Sequence, residues 1–171
     1  DTKVVIYSGE GENFSAGADI KENISFGSSL EAWRSNLGKP AVMSFLEINQ
    51  ITIAAVNGFC LGGAACFVSA CDFRIATEDA LLGYPEINLG MNLNWFGLPL
   101  ALRLVGPSKA KRLVIGGENE TATTLLNWGF YDEVCKKEHL IKGAERMANF
   151  YASKSALPAQ MIKRSVNAIT Y

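Results

Sequence analysis

The 171 residues are 49% apolar and 19% charged, which suits a packed globular chain and excludes a disordered one. A net charge of −1 supplies neither a basic face for nucleic acid nor a polybasic patch for a membrane, so an anionic ligand needs local positive charge. Four cysteines (Cys60, Cys66, Cys71, Cys135) lack CxxC spacing and read as reduced, packed thiols of a cytoplasmic-type compartment.

In chain order, residues 4–7 form an apolar strand stopped by Ser8-Gly9. Residues 11–17 are loop, and 23–29 are polar and irregular. Helical spacing of Val42, Phe45 and Leu46 predicts a helix over 31–50, with Pro40 early in it or at a break. Residues 51–56 are a second strand, Asn57-Gly58 its turn, and 63–70 a helix of small residues. Strands follow at 73–76 and 80–83. A helix over 95–105 carries Pro99 in its first turns and ends at Gly106; Ser108 caps a helix over 109–115. Thr121 caps 122–128, which Gly129 stops. A short strand at 130–134 precedes helices at 138–152 and 156–169. Alternating strands and helices followed by helices argue an α/β fold. The apolar stretch 41–76 is broken by Glu47, Asn49, Gln50, Asn57 and Asp72, so no spanning segment is expected, and no cleavable leader is visible.

The chemistry concentrates between Ile51 and Gly90. Two apolar runs flank a glycine-rich turn, and Gly62-Gly63 open onto the small-residue helix, whose first N–H groups have no intrahelical acceptor. A second turn, Phe14-Ser15-Ala16-Gly17-Ala18-Asp19, follows the first strand. N–H groups from two such turns, converging on one point, make an oxyanion hole. Glu86 stands behind Pro85 between apolar neighbours, where burial would raise its pKa and let it move protons near neutral pH. Other signals fail. Gly9-x-Gly11 lacks the third glycine of a dinucleotide fingerprint, and Ser15 lacks a Gly-x-Ser-x-Gly context. His139 is the sole histidine and lies in a polar helix start, so no metal site is expected.

FSAGADIKE (14–22), AAVNGFCLGGA (54–64), ACDFRIA (70–76), PEINLG (85–90) and RLVGPSKAKRLVIGG (103–117) together resemble the crotonase superfamily, the enoyl-CoA hydratases and isomerases, in order and spacing. The resemblance implies a spiral of ββα turns over 1–135, a helical region over 136–171, and one domain lacking parts of both ends. It implies an acyl-CoA thioester as substrate, coenzyme A being part of that substrate and not a separate cofactor, and assembly as a homotrimer or hexamer. Apolar helices at 95–105 and 122–128 point to assembly as well. A cytoplasmic location follows, or an organellar matrix if the source is eukaryotic.

Carried over position by position, the resemblance puts the oxyanion-hole donors at Ala18 and Gly63 and the catalytic carboxylate at Glu86. Ala16, Asp19, Ile20 and Lys21 match the segment that wraps the coenzyme; Lys21 reads equally as a solvated surface charge. Two positions depart from the family. Cys66 replaces a second glutamate of the hydratases. One helical turn beyond Gly63, it should face the acyl chain, as a small apolar wall or as a thiol of lowered pKa. Asn94 stands where relatives carry glycine or a catalytic aspartate; its amide orients but does not titrate. Beside it, Asn92 and Trp95 shape an unusual pocket wall, and Trp33 is a lesser candidate. One carboxylate suffices to move a double bond from the 3- to the 2-position, so isomerisation is the expected reaction. The alternatives are hydration, hydrolysis or decarboxylation of an unusual acyl-CoA, or a non-catalytic acyl-CoA-binding paralogue.

Overall fold

The computed structural model of the chain describes residues 2–19, 28, 31 and 36–171. Its larger sheet has the order β1-β2-β4-β7, with β1 at Val4–Ser8, β2 at Ile51–Val56, β4 at Phe73–Thr77 and β7 at Glu133–Cys135. All three pairings are parallel. Parallel strands covered on both faces read as unbroken apolar runs. β2 obeys this rule: Ala54 and Val56 face one buried cluster, while Ile53 and Ala55 face another with Ile75, Leu140 and Ala144. The smaller sheet joins β3 (Phe59–Leu61), β5 (Leu81–Gly83) and β6 (Glu120–Thr121).

Among the described residues, the α-helices with defined bounds are α1 (Gly38–Glu47), α2 (Gly63–Ala70), α3 (Gly97–Gly116), α4 (Ala122–Asn127), α5 (Leu140–Ala152) and α6 (Ala156–Thr170). α2 is almost wholly buried, and its small residues let α1 and α3 pack closely on it. α4 starts as predicted: the Thr121 hydroxyl accepts from the Thr124 N–H. α6 is pinned to the larger sheet by Lys163. Its ammonium lies 2.6 Å from Asp72 Oδ2 and donates to the Gln50 carbonyl at 2.8 Å. The same Asp72 oxygen accepts from the Thr52 N–H and hydroxyl.

Several boundaries differ from the sequence reading. Of the helix expected over 31–50, residues 32–35 lie outside the described residues, and α1 begins at Gly38, so Pro40 lies in its first turn, where a missing N–H costs nothing. The break expected at Gly106 is present: with φ 77° and ψ 170° this residue is not helical, and it divides α3 into the two helices expected on either side. The strand expected over 130–134 is confined to Glu133–Cys135, although Phe130 and Tyr131 are buried. β3 was not anticipated, because three residues within a glycine turn give too short a pattern to read.

Candidate active site

The two glycine turns meet because the chain after β1 crosses to the second sheet. Ser15 forms a parallel bridge with Cys60. The Phe14 N–H donates to Asn57 O at 2.7 Å, Ser15 N–H to Phe59 O at 3.0 Å, and Leu61 N–H to Ser15 O at 3.0 Å. This short ladder lays Ala16-Gly17-Ala18 along Leu61-Gly62-Gly63. The approach is tight: a Cβ on Gly17 would lie 2.7 Å from the Leu61 oxygen and 3.5 Å from the Gly63 nitrogen.

Gly62 ends β3 with φ 58° and ψ −124°, a conformation that L side chains rarely adopt, and its N–H donates to Gly83 O at 2.9 Å. Gly63 is therefore the first residue of α2, and its N–H has no intrahelical acceptor. Among the described residues, neither the Ala18 nor the Gly63 N–H is given to an acceptor of the chain.

Glu86 reaches the same place from the other side. Tyr84 is fully buried, its hydroxyl 2.6 Å from Ser69 Oγ, which anchors the chain against α2. Pro85 then opens a short 3-10 helix, Pro85–Leu89, whose far end Asn88 ties to Gly117 O at 3.1 Å. The Glu86 carboxylate comes so close to Gly62 that a Cβ there would lie 3.1 Å from Oε1. Oε2 is buried and has no hydrogen-bond partner among the described residues. Burial raises the Glu86 carboxyl above the usual carboxylate range, while a hydrogen bond from its own backbone N–H pulls it back.

Gly17, Ala18, Gly62, Gly63, Glu86 and Trp95 line one cavity of about 270 Å³, together with Ala16 and Asn94. An adjoining groove of about 560 Å³ shares Ala16, Gly17 and Ala18 and adds Asp19 and Asn88. The sequence candidates Ala16, Ala18, Asp19, Gly63, Glu86, Asn94 and Trp95 thus come together. Ile20 and Lys21 lie outside the described residues, as does Trp33.

Cys66 sits elsewhere than the helical spacing suggested. It is completely buried and is not among the residues lining the cavity. Its sulfur packs against α3, 2.6 Å from where a Cβ on Gly97 would be. Burial, aided by the nearby Glu86 charge, pushes the thiol up to about 12, the reverse of the lowering that a helix N-terminus suggested. At neutral pH it is a neutral thiol.

The cavity also holds residues that the sequence did not single out: Asn36, Leu89 and Met91. Asn36 left a signal. Its Oδ1 accepts from the Gly38 N–H at 3.0 Å, the turn that an Asn side chain makes with the backbone two residues on, here leading into α1.

Residues 1–170 match the family model described as enoyl-CoA hydratase/isomerase. A short-chain-enoyl-CoA hydratase of Clostridium acetobutylicum is 34% identical over 165 residues, covering 95% of this chain and 63% of the relative. A crotonyl-CoA hydratase of Syntrophomonas wolfei is 34% identical over 169 residues, covering 96% and 64%. In three dimensions, the enoyl-CoA hydratase of Bacillus anthracis superposes with a TM-score of 0.90 at 32% identity, over 97% of this chain and 65% of that one. The chain therefore spans about three-fifths of the length of these relatives.

Proposed function

Because the chain belongs to the enoyl-CoA hydratase/isomerase family, we propose that it binds an enoyl-CoA thioester and shifts its double bond. The thioester oxygen accepts from the Ala18 and Gly63 N–H groups. The Glu86 carboxylate removes a proton from C2 of a 3-enoyl thioester. The electron pair moves into the carbonyl, and the two N–H groups stabilise the charge developing on oxygen. Protonated Glu86 then returns the proton at C4, leaving the 2-enoyl thioester with no atom gained or lost. The observation that carries this reading is the convergence of one ionisable carboxylate and two turn N–H groups on one cavity. A raised carboxyl pKa suits a group that alternates between base and acid. No separate cofactor is called for, since coenzyme A arrives with the substrate, its pantetheine arm in the groove beside Ala16, Ala18 and Asp19.

Hydration is the second reading, favoured by the hydratase names of the relatives. It needs a second group to hold and split water, and a buried neutral thiol at Cys66 cannot do that. We further propose an aqueous compartment, cytoplasm or organellar matrix, and a homotrimer or hexamer. Assembly is supported by exposed apolar side chains on α3 (Leu98, Leu102) and, more extensively, on α6 (Leu157, Met161, Ile162, Ile169).

The test is to follow 3-enoyl- and 2-enoyl-CoA with the intact protein and its Glu86→Gln variant. Isomerisation and exchange of the C2 proton with deuterated water should both fall by roughly 10²–10⁴-fold in the variant. Acyl-CoA affinity should stay within a few-fold. Exchange persisting at the wild-type rate places the base elsewhere. Efficient wild-type hydration of 2-enoyl-CoA without isomerisation makes hydration the reaction.

A further inference from the structure

Glu86 stands on a weakly anchored stretch of chain. No residue from Pro85 to Asn92 is buried in the core, whereas Tyr84, immediately before, is completely buried. The carboxyl does not hold itself in place: Oε2 lacks a partner among the described residues, and the carboxyl accepts from its own backbone N–H. Its position is therefore set by the backbone, and the nearest fixed point of that backbone is Tyr84. Two residues span at most about 7 Å. Pro85, between them, has its φ locked by the ring. What fixes Tyr84 thus fixes the reach of Glu86.

The hydrogen bond on Tyr84 has a direction. The Ser69 hydroxyl lies 2.7 Å from the Ala65 carbonyl oxygen and 2.6 Å from the Tyr84 hydroxyl. A carbonyl can only accept, so the serine gives its single hydrogen to Ala65, and the 2.6 Å contact closes only if the phenol donates. Ala65 and Ser69 both lie on α2, whose first residue is Gly63. One residue before Tyr84, Gly83 O accepts from the Gly62 N–H at 2.9 Å. The segment carrying Glu86 is thus fastened at two successive residues to the segment carrying Gly63. The first fastening is backbone and survives any side-chain change; the second is made by two side chains. We infer that Tyr84 and Ser69 are positioning residues, their hydrogen bond setting the reach of Glu86 to a substrate held at Gly63. The inference rests on the acyl-CoA reading above and adds two residues to it. Neither side chain lines the cavity, so each acts through Glu86 and not on the substrate.

The experiment compares the intact protein with Tyr84→Phe, Ser69→Ala and the double variant. Tyr84→Phe keeps the core filled and leaves the serine hydrogen on Ala65. Ser69→Ala leaves a buried phenol donor without an acceptor, the harsher loss. Calorimetric titration with saturated butyryl-CoA counts binding-competent sites. Turnover of 3-enoyl-CoA and exchange of the C2 proton are expressed per site, so a partly folded variant is still read. Misplacing a reacting group by about 1 Å costs on the order of 10²-fold, so kcat and exchange should fall together by roughly 10- to 100-fold in each single variant. KM and butyryl-CoA affinity should stay within a few-fold, because the proposed oxyanion donors are backbone groups that remain in place. Ser69→Ala should lose at least as much as Tyr84→Phe. The double variant should lose no more than Ser69→Ala, since all three delete one bond. A wild-type kcat per site in Tyr84→Phe overturns the inference, even if its melting temperature drops, for the bond is then merely structural. Losses that multiply in the double variant, or a loss carried by KM alone, overturn it too. If wild type turns over no enoyl-CoA, or Glu86→Gln leaves exchange intact, the functional reading itself falls.

Discussion

Adding one methyl group at Gly63 tests the site's packing without touching its chemistry. In Gly63→Ala the new Cβ would stand 2.3, 2.7 and 3.2 Å from three atoms of the Trp95 ring. Carbon atoms in good contact sit about 3.5–4.0 Å apart, so the indole must retreat by roughly 1.2 Å or more. It has no slack on its other side, since it already covers Gly38 closely enough to exclude a Cβ there. Overpacking of this kind costs typically 1–3 kcal/mol. For a chain of this size that corresponds to a fall of roughly 2–12 °C in Tm. Thermal melting of Gly63→Ala, Trp95→Ala and the double variant checks it. The methyl should be nearly free in the Trp95→Ala background, giving a coupling of about 1–3 kcal/mol. An equal cost in both backgrounds would refute the seat described for the indole. For the same reason Gly63→Pro is a poor probe of the N–H donor, because it moves the indole as it deletes the hydrogen.

The remaining predictions concern charge and assembly. Folding raises the Glu86 pKa, so the native state binds more protons than the unfolded one between the usual carboxylate value of about 4.5 and the folded value. Stability therefore declines as pH rises through that window. Glu86→Gln should be more stable than wild type at pH 7 and equal to it below pH 4.5, as denaturant melts across pH will show. A variant that is inactive and less stable at pH 7 contradicts the assigned burial. Lys163→Met leaves the buried side of Asp72 without its cation and should cost about 3 kcal/mol or more in urea unfolding; a change under about 0.5 kcal/mol means that α6 is held by other contacts. Light scattering on the intact protein should report a trimer or hexamer, and a stable monomer at micromolar concentration opposes the assembly proposed.

What the sequence made legible follows a physical divide. α2 is predicted over the residues it occupies, because a glycine turn and small side chains are local signals. β2 was legible for the same reason, and so was the cap at Thr121. The meeting of Ala18, Gly63 and Glu86 came from resemblance; composition alone offered only glycine turns and a carboxylate. The misreadings arise where distant chain segments decide the outcome. Cys66 has the helical phase of a site residue, yet Gly97, far along the chain, supplies the hollow that takes its sulfur. Trp95 was named as a wall of the pocket, but nothing near it in sequence reveals that two remote glycines form its seat. The helix expected from residue 31 shows the opposite failure. Residues 32–35 lie outside the described residues, and apolar spacing alone did not show that α1 begins anew at Gly38, after the Asn36 turn.

The bridge between Ser15 and Cys60 has a consequence for how this molecule comes into being. Every pairing in the larger sheet is parallel, so none closes through a hairpin, and Val4 must find Ile51 across most of a third of the chain. Closures of that span are entropically expensive and make folding slow relative to chains rich in local contacts. The two N–H groups of the site stand on opposite sides of such a closure, one beyond β1 and the other at the head of α2. Neither turn is a partial site by itself. The proposed oxyanion hole would thus form all at once with the assembled sheets, be absent from any intermediate in which β1 is still undocked, and report that long-range closure in the finished fold.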